Sequence, residues 1–145
     1  MTTNPTPSLA RTLRPFIGPA QTRALEQLIH SEEGLYFQDL LNRLAKDILA
    51  MPQTGETDGQ GDEAVACLHY FIGNFDFWIT ERDKGDGSDD DSQHQAFGFV
   101  NLGDPDNAEL GYISLPELFE SNVELDLHWT PKTLGEIKAS VKGVQ

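Results

Sequence analysis

Cysteine and positive charge are what this 145-residue chain has least of: one Cys, and ten Lys plus Arg against 24 Asp plus Glu. With Cys67 alone, no internal disulfide can form, and no basic-then-apolar leader opens the chain, so the expected setting is a reducing cytoplasm. No stretch approaches the ~18 consecutive apolar residues of a membrane-crossing helix, and no membrane partner is expected. The net charge of −14 argues against direct nucleic-acid binding, which needs cationic side chains to neutralise phosphates and release counterions. Apolar residues are not scarce. They make up 38% of the chain and include eight Phe, three Tyr and two Trp. A chain of this length buries roughly two-thirds of its unfolded surface, so one folded domain with a substantial core is expected.

The charge is unevenly spread. Residues 1–55 balance five acids against five bases, whereas residues 56–91 carry eleven acids against Arg82 and Lys84 alone. Residues 92–145 carry eight acids against three lysines. A partner chosen by electrostatics is therefore expected to be basic and to meet the middle of the chain.

The first 15 residues hold three Pro and four Thr without a period and read as an extended arm. Gly18 and Pro19 then open a helix with Leu25, Leu28 and Ile29 on its apolar face. Over 36–50, Leu40, Leu41, Leu44, Ala45, Ile48 and Leu49 recur at the spacing of a buried helical stripe, and Pro52 stops it. Residues 16–52 are thus expected to form a helical hairpin. Residues 53–63, with three Gly and no apolar side chain, predict a mobile linker loop.

Strand chemistry begins at 64. Residues 64–72 and 75–80 are rich in aromatic and branched side chains, and Gly73-Asn74 between them signals a hairpin turn. Further strands are expected at 96–102, 109–113 and 125–129, with a long polar loop over 83–95. Two short helices close the chain, each announced by a capping box, Ser114 with Glu117 and Thr133 with Glu136. The expected fold is a single α+β domain: helical hairpin, then an antiparallel sheet of about five strands with two short C-terminal helices over 64–145.

The motif scan yields no complete catalytic or ligand-binding signature. In an EF-hand register begun at Asp86, Ser88 and Asp90 fall on liganding positions, but Asp91 replaces the required Gly and Phe97 the bidentate Glu, so the loop reads as solvated. Cys67 and His69, two apart on a strand, share one face under strict alternation, but two further zinc ligands are missing and core packing is the favoured reading. The glycines at 55, 59 and 61 lack the Lys-Ser/Thr of a phosphate loop. No metal and no cofactor are expected.

One arrangement remains. Alternation puts Asp76, Trp78 and Thr80 opposite Phe77 and Ile79, and puts Asp126 and His128 opposite Leu125, Leu127 and Trp129. If both sets meet on one sheet face they form a polar, aromatic binding surface. The competing expectation, and the favoured one, is that helices cover this face and bury Trp78.

The segments LHYF at 68–71, DFWITE at 76–81, QAFGFVNLG at 95–103, ELGYISLPEL at 109–118 and ELDLHWTPKTLGEI at 124–137 resemble, in that order, the domain-of-unknown-function family 2958. LRPFIGPAQ at 13–21 is similar to the first part of longer members. The resemblance implies a small protein of bacteria, plasmids and other mobile elements. It brings no activity and no site residue.

Three functions compete. The leading one is a non-catalytic protein-binding or modulator module. Acidity invites a DNA-mimic version, weakened because the densest charge lies in loops. The second is a carboxylate- or metal-dependent hydrolase using Glu81 and Asp83 at a strand end with His94 across the loop. The third is a structural subunit of an assembly that docks through the helical hairpin. Composition fixes no oligomeric state.

Overall fold

Gly18 and Pro19 start the first helix, Pro standing at a position whose N–H would be unpaired in any case. This helix, α1, runs Pro19–Ile29. A second, α2 (Gly34–Ala50), follows after residues 30–33 and contacts α1. Gly34 is required at the junction, because a Cβ there would lie 2.1 Å from the Ile29 carbonyl oxygen. The computed structural model describes residues 11–83 and 95–142, so residues 1–10 of the expected 1–15 arm and most of the acidic loop lie outside the described residues. The rest of the arm is not extended: residues 11–16 form a short helical turn, because Leu13 and Phe16 are apolar and bury in the first core.

The strands are β1 (Val65–Ala66), β2 (Leu68–Ile72), β3 (Phe75–Glu81), β4 (Gln95–Leu102), β5 (Glu109–Ser114), β6 (Glu124–Leu125) and β7 (Lys132–Thr133). Five of them form an antiparallel sheet in the order β5-β4-β3-β2-β6, while β1 pairs with β7 in a second, two-stranded sheet. Helices α3 (Leu115–Glu120) and α4 (Leu134–Lys142) follow β5 and β7. The architecture is α+β, as the order of periodicities predicted.

Both sheet faces are covered. Under the first, Leu41, Leu44 and Ile48 of α2, Leu25 and Ile29 of α1 and Leu115 and Leu118 of α3 pack with Leu68, Tyr70, Phe77 and Ile79. On the second, Leu134 and Ile137 of α4 close over Trp78 and Phe99. Each fully buried Leu or Ile of this kind contributes about 1.5–3 kcal/mol relative to exposure.

The caps work as the sequence suggested, with one difference of degree. Thr133 and Glu136 make the full reciprocal box: Thr133 N–H donates to Glu136 Oε1 at 3.0 Å and Glu136 N–H to Thr133 Oγ1 at 3.2 Å. Ser114 only accepts from Glu117 N–H, at 3.3 Å. Asn122, at φ 61°, ends α3: its N–H reaches Phe119 O and the Val123 N–H reaches Leu118 O, which satisfies carbonyls the helix leaves unpaired.

Three further expectations need correction. Strict alternation fails at Cys67, because Cys67 N–H bonds Ile79 O while Leu68 also pairs with Ile79, so two residues oppose one. Cys67 therefore joins the first core and does not share a face with His69. The expected strand 125–129 ends after Leu125, since Asp126 accepts from the His128 N–H at 3.0 Å and the chain turns there, with Trp129 N–H on Asp126 O. Finally, residues 53–63 are pinned to the end of β3 and do not hang as a linker. Thr54 N–H bonds Arg82 O, and Arg82 N–H bonds Pro52 O.

Candidate functional site

The residues read as a polar surface separate into three environments. Trp78 is core, 4% exposed beneath α4. Thr80 is the extra residue of a second bulge, between Ile79 opposite Gly98 and Glu81 opposite Phe97, and its hydroxyl donates to Phe97 O at 3.1 Å. Gly98 is obligatory beside it, because a Cβ would sit 1.9 Å from Trp78 O. His128 is exposed on the turn after β6, with Nε2 2.9 Å from the Tyr36 hydroxyl.

Asp76 and Asp126 do meet, but through His69. His69 Nε2 lies 2.8 Å from Asp76 Oδ1 and Nδ1 lies 3.0 Å from Asp126 Oδ2. Its ring stacks on Trp78 at 5.4 Å and on Phe71 at 5.8 Å between centroids, and Trp129 stands 5.1 Å away. Arg43 secures the Trp129 turn by donating to Leu127 O and Trp129 O at 3.0 Å each. A catalytic or metal-ligating His must present a ring nitrogen to substrate or ion. Both nitrogens of His69 are taken, so the cluster fastens β2, β3 and the 126–129 turn. Register could have revealed it: the Gly73-Asn74 turn pairs His69 with Trp78, which leaves Asp76 diagonally adjacent.

Of the hydrolase candidates Glu81, Asp83 and His94, only the first two are among the described residues. Glu81 is 2% exposed, and its carboxylate accepts from Gly55 N–H and Thr57 N–H at 2.9 Å each and from the Thr57 hydroxyl. Burial pushes its pKa up, but the Thr57 hydroxyl and the two backbone donors outweigh this and hold it below its ordinary value. Its oxygens anchor the 53–63 segment. Asp83 is half-buried just beyond Arg82, and His94 lies outside the described residues. Burial, with the Asp47 carboxylate nearby, raises Cys67 to about 11, which removes it as a nucleophile at neutral pH. Among the described residues, no group of three or more His, Cys, Asp or Glu is placed to hold a metal ion. No described helix is long and apolar enough to cross a membrane.

What sequence reading missed is a difference between the two edges of the sheet. At the β6 edge, the Gln21 side chain of α1 imitates a neighbouring strand: Leu125 N–H donates to Gln21 Oε1 and Gln21 Nε2 donates to Leu125 O, both at 2.8 Å. That edge is closed. At the other edge, β5 pairs with β4 on one side only, and no described segment pairs with its outer side. In an antiparallel pair, alternate residues of an edge strand aim their N–H and C=O groups outward, which is a template for another strand.

The β5 edge also carries exposed apolar side chains, Leu110 at 46% and Tyr112 at 63%. Tyr112 packs edge-on against Phe97 at 5.2 Å. Around the edge runs a groove of about 320 Å³, lined by Val100, Leu102, Asp104, Glu109, Gly111 and Tyr112 among others. From it a row of exposed apolar residues crosses the end of the sheet, Leu102 beside Phe75 and Phe75 beside Ile72. The signal in the sequence was ELGYIS, a strand whose outward positions hold Leu and Tyr in place of the Lys or Pro that usually guards an edge.

Neither a family model, a curated protein nor a solved structure matches the chain.

Proposed function

We propose that this chain is a non-catalytic protein-binding module that receives an extended segment of a partner protein along β5. One observation carries the reading: of the two sheet edges, β6 is capped by Gln21, while β5 is left open beside a groove and exposed apolar side chains. Strand addition of this kind takes affinity from main-chain hydrogen bonds and specificity from alternate side chains. The hydrolase reading is the less favoured one, since Glu81, one of its three candidates with Asp83 and His94, has its carboxylate engaged in holding residues 53–63. The mobile-element setting implied by the resemblance of residues 64–137 belongs to the same proposal, as does cytoplasmic residence.

Gly111 provides the test. A Cβ built there meets no atom within 4 Å, so Gly111→Arg fits the fold while projecting a long side chain into the groove. Tagged wild type and Gly111→Arg, matched in circular dichroism and Tm, are expressed in the same cells and their bound proteins compared. A partner held by wild type and lost by the variant is the expected result; one held equally by both excludes the edge.

A further inference from the structure

We infer that the segment received along β5 is a basic strand, in which Lys or Arg alternates with apolar residues. This rests on the reading of β5 as a binding edge and adds the chemistry of its occupant. Residues 95–124, which build β4, β5, α3 and β6, contain Asp104, Asp106, Glu109, Glu117, Glu120 and Glu124 and no Lys, Arg or His. Asp104 and Glu109 line the groove itself. Lys138, which lies over the Phe99 ring on the second sheet face, is held by Asp62 at 2.6 Å. Among the described residues that line the groove, charge is therefore of one sign.

Alternation then assigns the two sides of the incoming strand. Glu109 and Gly111 pair with Val100 and Gly98, so they lie on the first face, while Leu110 and Tyr112 pair with Phe99 and Phe97 on the second. Side chains of an added strand likewise alternate between the faces. Those on the first face come beside Glu109 and over Gly111, where a Cβ would meet no atom within 4 Å. A Lys or Arg suits that position: its methylene stem lies across Gly111 and along Val100, with its charge at Asp104 and Glu109. Side chains on the second face meet Leu110 and Tyr112 and are apolar or aromatic. A second copy of this chain is the wrong occupant, because its β5 carries no Lys or Arg to meet Asp104 and Glu109.

The test uses the full chain and labelled, end-blocked peptides of about ten residues, with Val alternating with Lys, with Ser or with Glu. The Lys peptide is expected to bind roughly tenfold or more tightly than the Ser peptide, and the Glu peptide weakest. Its binding weakens between about 0.05 and 0.3 M NaCl as the charges are screened, and Glu109→Lys lowers it by roughly tenfold. Gly111→Arg abolishes it. If the Ser peptide binds as well as the Lys peptide and Gly111→Arg still abolishes both, the basic occupant is overturned while the binding edge stands. If the Lys peptide binds equally well to Gly111→Arg, or binds nowhere, the inference falls, and in the first case the edge falls with it. A dimer of the wild type that Gly111→Arg dissociates makes the occupant a second copy and overturns the inference.

Discussion

The two edges of the sheet solve one problem in opposite ways. At β6 a two-residue strand would leave the Leu125 N–H and C=O without partners, and Gln21, 104 positions earlier in the chain, supplies both. At β5 a six-residue strand has no partner on its outer side among the described residues and bears Leu110 and Tyr112. An unguarded strand edge is an aggregation hazard unless something pairs with it. On the proposed reading, closing one edge with a dedicated side chain and leaving the longer one unpaired separates what holds the domain together from what it offers to a partner.

The contrast can be broken most forcefully from the interior. Trp78, beneath α4 and stacked on His69, is expected to cost about 3–5 kcal/mol when replaced by Ala. Urea denaturation measures it, and a Trp78→Ala midpoint near that of wild type would place Trp78 at a surface. Next in size is the closed edge. Gln21→Ala strips both partners from Leu125 and is expected to lower stability by about 1–3 kcal/mol, with faster amide exchange at Leu125. Unchanged exchange there would mean that the edge is not closed by Gln21.

Glu81 gives a pH signature. Because its folded pKa lies below its ordinary value of 4.5, the stability it contributes is fully present above that value and is lost as pH falls through the lowered folded pKa. Glu81→Gln is expected to destabilise the protein at pH 7 and to flatten the acid limb of the stability profile. Parallel acid limbs in the two proteins would remove Glu81 as the anchor of residues 53–63. Smallest of all, Tyr112→Ala at the open edge is expected to change stability by no more than about 0.5 kcal/mol. A loss comparable to that at Gln21 would erase the distinction between the edges.

Much of the fold was legible. The helical stripe of α2, the Gly73-Asn74 hairpin, the α+β class and the Thr133–Glu136 box follow from period and cap chemistry, which are local. The failures share one physical cause. A bulge adds a residue without a sequence mark strong enough to read, and one at Cys67 moved Cys67 and His69 to opposite faces. The 53–63 segment looked unstructured because it has no apolar residues, yet the carboxylate that holds it, Glu81, lies on a distant strand. The edge escaped for the same reason: strand order decides which strand is last, and it is set by long-range pairing. The charge-rich middle of the chain drew attention to 56–91, but only with the sheet in place does the base-free stretch 95–124 emerge as the open side.

Amide hydrogen exchange of the full chain, alone and with the alternating Lys–Val peptide, tests the difference between the edges most directly. Protection is expected to rise at alternate amides within Glu109–Ser114 on binding, while Leu125, already bonded to Gln21, stays unchanged. Protection that rises at Glu124–Leu125 in place of β5, or that leaves β5 untouched while the peptide is bound, would contradict it.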